Sequence, residues 1–145
     1  MSLGGGGGQM QEMAAQLEEL EETREALEAE VQGLQQEKRD IDDAVEALEE
    51  LESGSTVQVP LGGGAYVRAE VQDIDEVTIT LGSDYAAERD SDGAIETLES
   101  KRDTLDDRIE DLRSDITELE SESDELEQRM EQARAQQMQQ LQQGE

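Results

Sequence analysis

From Thr56 to Arg89 apolar side chains recur at every second residue, while the long stretches on either side repeat theirs at alternating intervals of three and four. Period two marks a strand with one apolar face, and the three-four rhythm marks a helix with a narrow apolar seam. The chain therefore reads as a helix, a small strand block and a second helix.

The strand block carries three apolar runs: Val57, Val59 and Leu61, then Val67, Ala69 and Val71, then Val77, Ile79 and Leu81. Turn-forming residues separate them at Pro60 with Gly62 to Gly64, at Asp73 to Glu76 and at Gly82 to Asp84, and a last strand is expected from Tyr85 to Glu88. Residues 54–90 are thus predicted to be four short strands in two successive hairpins. A sheet of about 34 residues cannot close a core or hide its own edges. The helices are expected to spend their seams on each other, which leaves the nine apolar residues of the runs as a subunit interface. Assembly with other chains follows.

The first helix is expected over 9–53, with a seam running Met10, Met13, Leu17, Leu20, Arg24, Leu27, Val31 and on to Leu48. The second is expected over 91–142, capped by Ser91 or Asp92, with a seam from Ile95 through Leu112 and Leu126 to Met130 and Ala133. Ser53 and Gly54 are read as the stop of the first helix. At 1.5 Å per residue each helix spans roughly 65 to 75 Å, and the matched lengths favour an antiparallel intrachain pair. If Leu51 stands beside Ile95, Arg24 falls near Ser123, and Lys38 near Asp107 and Asp111. Residues 1–8, dominated by five glycines, are read as a flexible leader, and 143–145 as a short tail.

Charge excludes several function classes. Forty acidic residues against eleven basic ones give a formal charge of -29, which repels a phosphate backbone, so neither nucleic acid nor an anionic membrane is an expected partner. Nine of the basic residues are arginines and only Lys38 and Lys101 are lysines, a bias that together with the acidity resembles proteins of extreme halophiles. Cysteine and histidine are absent, which removes thiolate nucleophiles, imidazole bases and the usual zinc ligands. Leu61 to Ala65 lacks the lysine of a phosphate-binding loop, and carboxylate pairs such as Asp42 with Asp43 sit on exposed helix faces without calcium-loop spacing. An enzyme is not expected, no cofactor is called for, and a cytoplasmic location is the default.

In an antiparallel pair both termini come together, and all five methionines lie near them. Met138 and Leu141 leave the three-four rhythm within a glutamine-rich stretch, so the seam is expected to splay there. Methionine moulds to irregular apolar surfaces. Met10, Met13, Leu17, Leu20, Leu126, Met130, Ala133, Met138 and Leu141 are accordingly the expected client-binding tip, with frayed seam residues as the plainer alternative.

The run Val57-Gln58-Val59-Pro60-Leu61-Gly62-Gly63-Gly64-Ala65-Tyr66-Val67-Arg68-Ala69 resembles the first hairpin of archaeal prefoldin alpha subunits. Val77 to Glu88 is similar to their second hairpin, and Asp92 to Leu98 to the start of their second helix. The likeness covers Thr56 to about Leu112. It implies an α+β fold, a long antiparallel two-helix coiled coil whose two central hairpins assemble into an oligomeric β-barrel. It further implies a hexamer of two alpha and four prefoldin beta subunits. Its coiled-coil tips would hold unfolded client proteins without ATP and deliver them to a group II chaperonin. The rival reading is a structural coiled-coil spacer or tether that oligomerises through its hairpins and binds one defined partner.

Overall fold

The computed structural model describes residues 3–143. Its elements are α1 (Leu3–Glu50), β1 (Thr56–Gly62), β2 (Ala65–Glu70), β3 (Val77–Gly82), β4 (Tyr85–Arg89) and α2 (Ser91–Gln143). Met1 and Ser2 of the expected leader, and Gly144 and Glu145 of the expected tail, lie outside the described residues.

Helix α1 corrects the expected leader, because the backbone is already helical from Leu3 through the glycine run. Each glycine costs about 1 kcal/mol relative to alanine. Extending a helix that is already nucleated nevertheless adds a hydrogen bond per residue, whereas starting one does not. At its other end α1 stops at Glu50, three residues before the expected boundary. Leu51 N–H still donates to Ala47 O at 2.9 Å, and then Gly54, at φ 92°, turns the chain and donates to Val71 O at 2.7 Å. Val71 N–H donates back to Ser55 O at 2.8 Å, so the pairing of the first hairpin continues past its strands into the connection from α1.

The start of α2 is also one residue off the expected cap. Asp90, not Ser91 or Asp92, accepts the Gly93 N–H on its side chain at 2.7 Å, and its carbonyl accepts the Ala94 N–H at 2.8 Å. A side-chain oxygen bonding the third helical N–H satisfies one of the donors that a helix start leaves unpaired. Asp90→Ala is expected to cost about 1 kcal/mol, read as a lower urea midpoint at fixed KCl.

The four strands make two separate two-stranded sheets, β1 with β2 and β3 with β4, both antiparallel. The single chain closes no barrel. The hairpins are built alike. Gly63 and Gly64 in one, and Ser83 and Asp84 in the other, all take positive φ, as the tight two-residue turn with matching twist requires. Just before each turn the register shifts, at Gly62 with φ 101° and at Gly82 with φ 105°. Side chains rarely reach those angles, so glycine occupies both positions.

The helices contribute to two compact units. In the unit of residues 35–107, Lys38 pairs with Asp106, and Arg102 Nη1 lies 3.1 Å from Asp42 Oδ1. Position numbers rise along α1 while their partners fall along α2, so the segments run antiparallel. In the other unit, Val31, Ile109, Leu112 and Ile116 form a buried cluster with Leu27 and Leu34 against it, and Arg108 Nη2 lies 3.0 Å from Glu30 Oε1. Leu112 is 1% exposed, the most covered large side chain described. The expected pairing of Lys38 is corrected: it meets Asp106 instead of Asp107 or Asp111. Arg24 turns to Glu21 and Glu28 of its own helix, at 2.8 and 3.0 Å, and not to Ser123. Its hydrogen bond to Glu21, then the charge of Glu28, raise its pKa further. A long, flexible side chain takes the nearest carboxylate on a helix this acidic.

Candidate functional site

Cross-strand pairing decides which side chains share a face. In the first hairpin Val57 stands opposite Ala69 and Val59 opposite Val67, which gathers four apolar side chains on one side. Pro60 stands opposite Tyr66 on the other side, with Gln58 opposite Arg68. Val59 is 41% exposed and Val67 46%, and Leu61, in the irregular turn, is 68% exposed. Val57, Ala69 and Val71 are half-buried.

The second hairpin differs. Ile79, opposite Ala87, is only 6% exposed. It lines an open depression with Val77, Ala44, Ala47, Leu48 and Leu98, and the Lys101 ammonium, at the same depression, donates to Thr80 O at 3.0 Å. The expectation that the helices leave the strand block uncovered is thus corrected at Ile79: α1 and α2 still present apolar side chains here, and they shelter it. Leu81 remains exposed. Sequence reasoning passed over Tyr66 and Tyr85, both largely exposed on the hairpins. The signal was available, since these are the chain's only aromatic residues and tyrosine is enriched where proteins meet.

The expected tip residues divide three ways. Leu126 is buried as a seam residue, at 7% exposure, and its place in an accessible tip is corrected accordingly. Met10, Met13, Leu17, Leu20, Met130 and Ala133 are half-buried. Met138 and Leu141 stand in the open. Shallow depressions beside Leu17, Leu20 and Met130 have carboxylates around them, from Glu19, Glu122, Glu125, Glu127 and Glu131. All large hydrophobic residues found exposed among the described residues lie either on the hairpins or at Met138 and Leu141.

Among the described residues no group of histidine, cysteine or carboxylate side chains is arranged to hold a metal ion, and no helix is long and apolar enough to cross a membrane. A helix, two hairpins and a second helix, with Val59, Val67 and Leu81 left exposed on the hairpins, is an architecture with known relatives. The family model described as Prefoldin subunit matches residues 20–143. The chain belongs to the prefoldin subunit family.

Prefoldin subunit alpha of Haloarcula marismortui is 63% identical over 65 residues, 45% of this chain and 42% of that one. Prefoldin subunit alpha of Halorubrum lacusprofundi is 69% identical over 61 residues, 42% and 40% of the two chains. The aligned stretch thus spans about two fifths of these curated prefoldin relatives. Their halophilic sources agree with the acidic, arginine-biased composition. Among solved structures, filamentous PFD from Methanocaldococcus jannaschii, determined by cryo-EM, superposes with a TM-score of 0.53 at 28% identity, covering 80% of this chain and 93% of that one. The crystal structure of the prefoldin beta subunit from Thermococcus strain KS-1 superposes at 0.58 and 21% identity, covering 86% and 91%, a likeness of fold. The prefoldin fold expected from the hairpin residues is therefore present.

Proposed function

We propose that the chain is the alpha-type subunit of an ATP-independent holdase, one that keeps unfolded proteins from aggregating and passes them to a group II chaperonin. Its hairpins would join those of other prefoldin subunits, two alpha and four beta, closing a β-barrel that one chain cannot make. A cytoplasmic location and the lack of any enzymatic activity go with this reading. The observation that supports it best is the confinement, among the described residues, of large exposed hydrophobic side chains to the hairpins and to Met138 and Leu141. One set suits permanent burial between subunits, and the other suits transient contact with an apolar client.

The test is aggregation of a chemically unfolded protein in molar KCl, with and without the assembled complex. Full-length complex is expected to suppress light scattering. A complex lacking residues 1–20 and 130–145 is expected to assemble but to protect no longer. Equal protection by the truncated complex would remove the tip from the proposal. Recovery of one stoichiometric partner with no general protection would instead mark a tether.

A further inference from the structure

The two lysines of the chain are placed differently. Lys38 is taken up by Asp106, whereas Lys101 has no carboxylate within ion-pair distance among the described residues. Its ammonium donates one hydrogen bond, to Thr80 O at 3.0 Å, and two of its three donors are left over. On α2 the positions one turn to either side, Thr97, Leu98, Thr104 and Leu105, hold no carboxylate. The depression that Lys101 borders offers about 360 Å³ of space, lined by Ala44, Ala47, Leu48, Ile79 and Leu98 among others, with Thr78 and Thr80 as its uncharged polar residues. Lys101 is the one charged residue of that lining, whereas the depressions beside Leu17, Leu20 and Met130 are each lined by glutamates.

We propose that this depression is a binding site for a small aliphatic carboxylate, its charged end on the Lys101 ammonium and its hydrocarbon body on Ala44, Ala47, Leu48 and Leu98. The site stands apart from the holdase reading and does not depend on it. Its volume falls at the small end of ligand pockets, which run from about 300 to 1,000 Å³ and pair an apolar lining with few polar groups. The lining selects among occupants. A cation would face the ammonium directly, and a neutral hydrocarbon would cover it and strand its two spare donors. An inorganic anion would satisfy the ammonium and leave the apolar floor in water. A carboxylate on a short hydrocarbon chain meets both needs at once. The acidic residues nearest in sequence, Asp40, Asp43 and Glu50 on α1 and Glu88 on β4, are exposed and do not line the depression. At 1 M salt the screening length is about 3 Å, so these act weakly on the ligand, while an ion pair in contact and partly shielded from water is screened less. A ligand seated there touches hairpin β3–β4 and both helices together, within the unit of residues 35–107.

The test uses the full chain in molar KCl, with the methyl NMR signals of Leu48, Ile79 and Leu98 followed as hexanoate, hexanamide or hexylammonium is added. Hexanoate is expected to shift all three methyls saturably, hexanamide to bind about tenfold more weakly, and hexylammonium to leave them unmoved. Lys101→Gln is expected to weaken hexanoate by about tenfold and to leave hexanamide within a factor of about two. Ala47→Glu keeps Lys101 and its bond to Thr80 in place, adds a carboxylate to the lining, and is expected to weaken hexanoate as well. Helical circular dichroism of both variants, unchanged from the parent, shows that the effect is local. Equal binding of hexanoate and hexanamide, or hexanoate binding that neither substitution alters, would overturn the assignment of the charged end to Lys101. Methyls that ignore hexanoate and move only when a beta-type subunit is added would make a partner's side chain the occupant and overturn the proposal.

Discussion

In dilute buffer the chain should lose most of its helical circular dichroism signal, and molar KCl should restore it. Carboxylates outnumber cationic side chains by 29, and the ion pairs found in the structure bring together partly or largely exposed groups. Pairs of that kind contribute roughly 0 to 1 kcal/mol each. Like charges four residues apart on a helix cost roughly 0.2 to 0.5 kcal/mol apiece, and α1 and α2 carry many such neighbours. Opposing them is a thin core, a line of seam residues such as Val31, Ile41, Ile109, Leu112 and Ile116. The Debye length shrinks from about 30 Å at 0.01 M salt to about 3 Å at 1 M, so salt removes most of the repulsion and also strengthens apolar burial when its anion is well hydrated. Ellipticity that ignores KCl across this range would show that packing alone outweighs the repulsion.

Val59→Asp combined with Val67→Asp should abolish assembly with other subunits and leave the helical signal of the separate chain nearly intact. The two valines face each other across β1 and β2 and are close to half exposed, so in the free chain the aspartates remain hydrated. Directly opposed side chains on such a pair have Cβ atoms about 4.5 to 5.5 Å apart. Two carboxylates there, pressed against an apolar neighbour, would be buried charges without partners, at about 3 to 5 kcal/mol for breaking such complementarity. Sedimentation velocity with the beta-type partner should then show separate components. Unchanged complex size would move the interface off the valine face, and Pro60 with Tyr66 on the opposite face would be the next candidate.

Much of the fold was legible beforehand because backbone periodicity writes itself into the chain. The strand runs around Val59, Val67 and Ile79 announced two hairpins, and the glycines at 62–64 announced a tight turn, since few other residues tolerate positive φ. The turn at Ser83 and Asp84 was readable for a related reason, a short polar side chain tolerating the left-handed region. Boundaries were less legible. Asp90, Ser91 and Asp92 are all good caps, and only the geometry at Gly93 shows which one accepts the N–H. The candidate site was half legible: Met138 and Leu141 broke the heptad rhythm and are exposed, whereas Leu126 kept it and is buried.

Sequence by itself determined the element types, their order, the apolar face of each and the excess of negative charge, because these follow from local backbone geometry and from side-chain chemistry. Tertiary structure alone decided which members of an apolar face are covered. Val59 and Ile79 occupy similar places in similar hairpins, yet Ile79 shares a depression with Ala44, Ala47, Leu48 and Leu98 and is 6% exposed, whereas Val59 is 41% exposed. Coverage depends on distances between segments far apart in the chain, and a repeat of two or of three and four carries no record of those distances.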